Sequence, residues 1–473
     1  MEKRRVLIFA IIFFLGVGLR IGYFYFNHYN MDLGDDEPWS KINLAIRWIY
    51  SESFAPDLNF GPLHTYIISS LWLLDKENFI ILSRIISLVF GILFIGLYFC
   101  LIKELFNIKV AYFSAFLVSI YPLHIHLSSV SLAEVPAHFL LFTSLYFLYR
   151  FINYKKFFYL IISATALNLS CMLRFENWLF VFLFTGILFL KFRFSRYVYV
   201  FFTLSCIFPF IWMIVNYKYE GNPINFVKTS SIATNLMMQY VNLEHKASGF
   251  IYILYKGLSL PIFICCSLGF ILSLLKGLRN NAFIIFFSFL FFVYELRSIQ
   301  GSYSYFTWRY SVLLGLLFLP FGGIALRYIL ENINLSRYIR SLVIMFMLLF
   351  CFLYSIKTLK FFYKNTVISN RLIDAISWIR ANVTRDERVL LEYGVYHPLI
   401  SLNSHLHPEQ VVNYNHLALY KNRNLEKYQG DFDYIVISKC QGLFRYSVSN
   451  LITTNRIVRV FNNEEWQIFK LKK

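Results

Sequence analysis

The stretch VLIFAIIFFLGVGLRIGYFYF (6–26), continued by NHYNMDLGDDEPWS (27–40), joins an apolar run to three consecutive carboxylates, Asp35, Asp36 and Glu37. A helix needs about 20 apolar residues to cross the hydrocarbon core of a bilayer, and the run from Val6 to Phe26 meets that length. It follows Lys3, Arg4 and Arg5, shows no small-x-small cleavage signal and exceeds the apolar core of a signal peptide, so it reads as a retained anchor. Carboxylates in tandem repel one another. The arrangement therefore takes up a proton, holds a cation, or is solvated at the membrane surface.

The composition extends this reading to most of the chain: 58% of its residues are apolar and 20% aromatic. Further spans are predicted at 79–102, 110–127, 135–149, 157–173, 178–190, 197–215, 251–275, 282–294, 310–326 and 342–359. With the first they make about eleven transmembrane helices. The net charge of +19 is not that of a nucleic-acid binder, because the basic residues lie in short clusters between apolar runs rather than on one stripe or tail. Of the seven cysteines, all but Cys440 fall in apolar stretches, where they act as small hydrophobes; no disulfide framework or CxxC site is present.

Orientation follows from the clusters. With a cytoplasmic N-terminus, the inner loops receive Lys3/Arg4/Arg5, Lys103/Lys109, Arg150/Lys155/Lys156, Lys191/Arg193/Arg196, Lys276/Arg279 and Arg327/Arg337/Arg340. The outer loops receive Asp32, Asp35, Asp36, Glu37, Glu52, Asp57, Asp75, Glu77, Glu134, Glu176 and Glu295. The acidic triplet faces outward, and an odd helix count puts residues 360–473 outside as well. That places the chain in the plasma membrane with an extracytoplasmic C-terminal part.

The outer loop 27–78 is too long for a connector. Ile42, Ala45, Ile46 and Ile49 give Trp39–Tyr50 one apolar helical face, and Leu63–Leu74 looks the same, so two amphipathic helices lying at the interface are expected. Asn59, Phe60, Gly61 and Pro62 form a turn between them, just before His64 and Tyr66. The soluble C-terminal part predicts a helix near 370–382, strands at 388–393 and 433–438, and a hairpin in which 457–461 and 466–471 flank Asn462, Asn463 and Glu464. The fold class is thus mainly α: a transmembrane domain, 1–359, and a small extracytoplasmic α/β domain, 360–473. Asn382-Val-Thr384 has the glycosylation pattern, which carries no information without a host.

Several motifs in order resemble the GT-C glycosyltransferases, in particular the bacterial aminoarabinose lipid A transferases and the protein O-mannosyltransferases. They are Asp36-Glu37-Pro38-Trp39, Gly61-Pro62-Leu63-x-x-Tyr66, Arg84 early in the second span, Ser128 to Glu134-Val-Pro136, Arg174-Phe-Glu176 and Arg309-Tyr310. The resemblance covers the membrane part, about 1–359. It implies inverting transfer of a sugar from a polyprenyl-phosphate carrier to a lipid, glycan or protein acceptor in the cell envelope, on the outer face of the membrane. On it, Asp36 is the general base and Glu37 orients the acceptor or a cation. Arg174, Arg309 and, more weakly, Arg84 meet the charge of the departing lipid phosphate. His64, Tyr66, Glu134, Glu176 and Tyr310 contact substrate.

Each assignment has a structural rival. The triplet fits a solvated loop or a helix cap; Arg174 with Glu176, and Arg309, fit structural ion pairs; Glu134 fits the acidic start of a helix; Arg84 fits a snorkelling side chain. His124 and His126 with His64 and Glu134 could hold a metal, but histidines two apart diverge on a helix. No resident metal is assigned, and a divalent cation is left open. Departures from the pattern include Phe60 and Gly61 where the aminoarabinose transferases carry a basic residue, and Arg174 where similar enzymes often have Lys, which favours bidentate contact. The Trp-Trp-Asp motif of the oligosaccharyltransferase subunit is absent, which argues against transfer of a whole oligosaccharide to asparagine. The rival class is a lipid or glycan transporter or flippase; the lack of an internal repeat and of charges near mid-membrane speaks against it.

Overall fold

The computed structural model describes residues 2–26, 37–50, 55, 58, 61–76, 78–226, 247–275, 309, 311–332, 336–366, 370–391, 406, 410–412, 432–439 and 456–472. The chain divides into two compact units, Met1–His28 with Ser53–Phe362, and Tyr29–Glu52 with Tyr363–Lys473. Helix α1 (Glu2–Phe26) opens the first unit, and α2 (Glu37–Ile49) belongs to the second. The first continues through α3 (Pro62–Leu74), α4 (Phe79–Leu105), α5 (Ile108–Ser119), α6 (Pro122–Leu127), α7 (Glu134–Tyr154), α8 (Phe157–Leu173), α9 (Trp178–Phe192), α10 (Arg196–Glu220), α11 (Ala247–Leu258), α12 (Leu260–Leu275), α13 (Ser311–Asn332) and α14 (Arg337–Thr366), whose last four residues fall in the second unit.

Among the described residues, seven helices are long and apolar enough to cross a membrane and three shorter ones are apolar. These helices overlap every expected span except 282–294, which lies outside the described residues. The chain is an integral membrane protein. Two expected spans are broken rather than continuous. The first, 110–127, stops at Ser119 and restarts at Pro122, because a proline ring cannot be placed inside a helix without clashing with the preceding turn. The second, 251–275, breaks at Ser259, whose φ of 73° is left-handed, two residues before Pro261. A third proline, Pro209, stays within α10, where Asn168 on α8 accepts a hydrogen bond from the Phe208 N–H at 2.9 Å.

Helix α13 is buried along nearly its whole apolar length, whereas α14 exposes most of its side chains. Close packing of α13 rests on small residues. A Cβ on Gly269 of α12 would stand 1.7 Å from the Phe321 carbonyl, and one on Gly323 would stand 2.3 Å from Ser114 Oγ of α5. Without water to drive association, such backbone approach supplies the dispersion contacts that hold apolar helices together.

The break after α5 is held by a buried charge. Arg20, fully buried on α1, donates to the carbonyls of Val118 and Ser119 at the end of α5, each at 3.1 Å, to Gly16 of its own helix, and to His124 Nδ1 at 2.9 Å. A helix end leaves carbonyls unpaired, and a guanidinium has several donors to meet them. Because a guanidinium only donates, Nδ1 must accept, so His124 is neutral with its proton on Nε2.

In the second unit, α15 (Asn370–Asn382) accompanies a five-stranded sheet of order β2-β1-β3-β5-β4. Strand β1 (Val389–Leu391) runs parallel to β2 (Val411–Val412) and to β3 (Tyr434–Ser438), which pairs antiparallel with β5 (Trp466–Leu471). β5 and β4 (Ile457–Asn462) form the expected hairpin. Its turn is fixed by Asn463 Oδ1, which accepts from the N–H groups of Glu465 and Trp466 at 3.0 and 2.7 Å. Strand β2 had no signal in the sequence, since two residues give no period. Helix α2 starts two residues before Trp39, consistent with an acid and a proline, Glu37 and Pro38, in its first turn.

Candidate active site

Three helix ends converge in the first unit. Helix α7 begins at Glu134 and α8 ends at Leu173, and Ser170 Oγ donates to the Ala137 carbonyl at 2.8 Å, tying the two together. Asn177 in turn donates to Ser170 Oγ at 2.8 Å. The start of α3 abuts the same place: a Cβ on Gly61 would stand 2.5 Å from the Met172 carbonyl and 2.6 Å from that of Leu173. Only glycine permits that approach, which accounts for Gly61 before Pro62. Leu63 of α3 then packs against Ala133, Ala137 and Leu173.

The segment leading into α7 is strapped from α4. Arg84, 1% exposed, donates through Nε to the Ser129 carbonyl at 2.7 Å. It does not snorkel to the surface, because this carbonyl offers a partner inside the fold. Glu134 is therefore carried by a loop clamped from one side and a helix pinned on the other.

Around Glu134 the charges gather. Its Oε1 pairs with Arg174 Nη1 and lies 3.5 Å from Arg309 Nη1. Arg174 follows the last residue of α8 in extended conformation, so its side chain leaves the helix axis and reaches Glu176 as a fork, at 2.6 Å through Nη2 and 3.2 Å through Nε. Glu134 and Arg309 are 1% and 4% exposed. Two guanidinium groups and two carboxylates thus balance one another, with Glu134 and Arg309 buried and Arg174 and Glu176 half-buried. Glu134 Oε2 is buried and accepts no hydrogen bond among the described residues. The group can hold an anion on its arginines and a donor on that free oxygen.

The sequence-derived residues fall into three sets. Glu134, Arg174, Glu176 and Arg309 come together. His64 is buried on α3 and Tyr66 half-buried on the same helix, while Arg84 holds the loop before Glu134. Asp36 and Tyr310 lie outside the described residues, and Glu37 is placed only as the first residue of α2. His124 and His126 diverge on α6: one meets Arg20, while Nδ1 of the other is 3.0 Å from the Tyr23 hydroxyl. Among the described residues no group of three His, Cys, Asp or Glu side chains stands at metal-ligand spacing. Sequence reasoning missed Arg20 and His138. A lone charge in the run 6–26 was a signal for the first, and the spacing Glu134-x-x-x-His138 for the second, since residues four apart share a helix face.

Residues 59–214 match the family model of dolichyl-phosphate-mannose-protein mannosyltransferases. Among solved structures, ArnT from Cupriavidus metallidurans bound to undecaprenyl phosphate aligns with a TM-score of 0.61 at 11% identity, over 99% of this chain and 97% of that one. The oligosaccharyltransferase of Archaeoglobus fulgidus tethered with an acceptor peptide aligns with a TM-score of 0.62 at 14% identity, over 93% of this chain and 69% of that one. The oligosaccharyltransferase AglB of the same organism, in complex with an inhibitory peptide and a dolichol-phosphate, gives 0.60 at 13% identity, over 92% and 69%. No curated protein sequence matches the chain. The fold is that of the GT-C class, and together with the family match it makes the chain a membrane glycosyltransferase rather than a transporter. Within that class, 59–214 is the mannosyltransferase-like segment, and it contains Glu134, Arg174 and Glu176.

Proposed function

We propose that this glycosyltransferase moves a sugar from a polyprenyl-phosphate carrier to an acceptor on the outer side of the plasma membrane, with inversion at the anomeric carbon. The observation that carries the reading is the pair Arg174 and Arg309, both directed at one oxygen of the buried Glu134. When the glycosidic bond breaks, negative charge grows on the lipid phosphate, and fixed cations in a low-dielectric site stabilise that charge most. The ion pairs hold the arginines in place before the donor arrives, and the phosphate oxygens then take over part of their N–H groups. Glu134 Oε2 is left to accept a hydrogen bond from an acceptor hydroxyl. Asp36 serves as the base that removes the acceptor proton, and Glu37 orients the acceptor or a cation; His64, Tyr66 and Tyr310 contribute substrate contacts. Arg84 acts by holding the 128–133 loop.

The sugar and the acceptor class follow from one experiment. Mass spectrometry of surface glycolipids, polysaccharides and glycoproteins is compared between cells with and without the protein, and with Asp36→Asn at equal expression. Loss of one sugar from one class in both strains supports the reading. An unchanged envelope in the strain lacking the protein contradicts it.

A further inference from the structure

One buried polar side chain beside the ion group has no role in the scheme above. His138 lies one turn beyond Glu134 on α7, on the same face, with Cβ atoms about 6 Å apart for residues at that spacing. It is 5% exposed, and its Nδ1 is buried with no hydrogen-bond partner among the described residues. Its neighbours in charge are Arg174 at the end of α8, Glu134 on its own helix, and His124 on α6, whose ring is neutral. A buried ring nitrogen without a partner is costly, so a ligand that satisfies it gains affinity. With the N-terminus inside, α7 runs inward from Glu134, so His138 stands about 6 Å deeper in the membrane at 1.5 Å per residue. On the donor reading the carrier's lipid tail lies on that side, so the phosphate stands nearer to His138 than the sugar beyond it does.

We infer that His138 is a third phosphate-binding residue, donating a ring N–H to the carrier phosphate alongside Arg174 and Arg309. The inference rests on the donor reading above and adds a ligand contact to the same site. A hydrogen bond to a charged acceptor is stronger than one between neutral groups.

The test uses full-length protein in detergent titrated with undecaprenyl phosphate, which carries no sugar, with affinity read from thermal-shift titration. His138→Ala should weaken binding roughly tenfold or more, and His138→Asn, whose amide can donate from the place of Nδ1, should recover most of it. Equal affinity of His138→Ala and wild type overturns the inference, as does an Asn variant no better than Ala, which would mean lost packing. If His138→Ala is impaired only with undecaprenyl-phosphate-mannose and not with the bare phosphate, the contact is to the sugar and the phosphate assignment is overturned. Failure of wild-type protein to bind either lipid would instead remove the donor reading on which the inference stands.

Discussion

Two groups of charge in the membrane unit differ in the partners that hold them. Among the described residues Arg20 faces only neutral acceptors, three backbone carbonyls and the His124 ring, and two of those carbonyls, Val118 and Ser119, need a donor because a helix ends there. Arg174 and Arg309 face carboxylates, one of which keeps an oxygen free. A charge committed to backbone groups cannot leave without orphaning them. A charge paired with another charge can exchange that partner for an incoming anion at far smaller cost, since the anion repays what the carboxylate loses. The first arrangement builds the fold, and the second is fitted to work on a ligand.

The sharpest separation comes from removing one arginine of each kind. Arg174→Met should lower transfer by at least ~10²-fold, with folded protein still recovered, as scored by glycan mass spectrometry at matched expression. Arg20→Met should instead cost roughly 2–4 kcal/mol of stability, for several lost hydrogen bonds at about 1 kcal/mol each, with transfer falling only as the folded fraction falls. Were Arg20→Met to abolish transfer in protein that melts like wild type, Arg20 would belong with the ligand-exchanging charges. Arg84 tests the middle ground. Arg84→Met should cost about 1–2 kcal/mol through the freed Ser129 carbonyl while leaving undecaprenyl phosphate affinity unchanged. A large affinity loss would move Arg84 into the ligand-exchanging group.

The smallest effect is expected in the second unit, where charges sit at the surface. Burial pushes the Glu387 carboxyl up, but hydrogen bonds from the Thr384 N–H and hydroxyl and from Lys470 outweigh it and hold it below its ordinary value. The Lys470 ammonium is raised, chiefly by the Tyr434 hydroxyl at 2.8 Å and then by Glu387 at 3.0 Å. A lowered acid contributes stability above its unfolded value and loses it as pH falls through the folded one. Acidification below about pH 4.3 should therefore weaken this unit, and Glu387→Gln should flatten that acid limb of a melting-temperature profile by an amount under ~1 kcal/mol. An unchanged acid limb in the variant would show the network to be without energetic weight.

The two groups were also unequally legible in the sequence. Glu134, Arg174, Glu176 and Arg309 stood out because each is a rare charge next to an apolar run, and charges cannot be placed there without partners. Their meeting at one oxygen was not legible, because it depends on three helix ends brought together by Gly61, Ser170 and Ala137. The apolar runs themselves revealed the helices, since span length is imposed by the bilayer. The breaks at Pro122 and Ser259 were passed over because hydropathy continues across them, although Pro122 and Pro261 marked the places. Arg20 was hidden within the first apolar run, and β2 is too short for any periodic pattern. The Asn462–Glu464 turn and the alternation beside it made the hairpin plain.

Whether the arginines around Glu134 receive the carrier phosphate is read most directly from a structure of the full-length protein with undecaprenyl phosphate. Phosphate oxygens are expected within roughly 2.7–3.2 Å of Arg174 or Arg309 nitrogens, with at least one contact to Glu134 given up. A phosphate lodged elsewhere, with the Arg174–Glu134–Arg309 group intact, would contradict it.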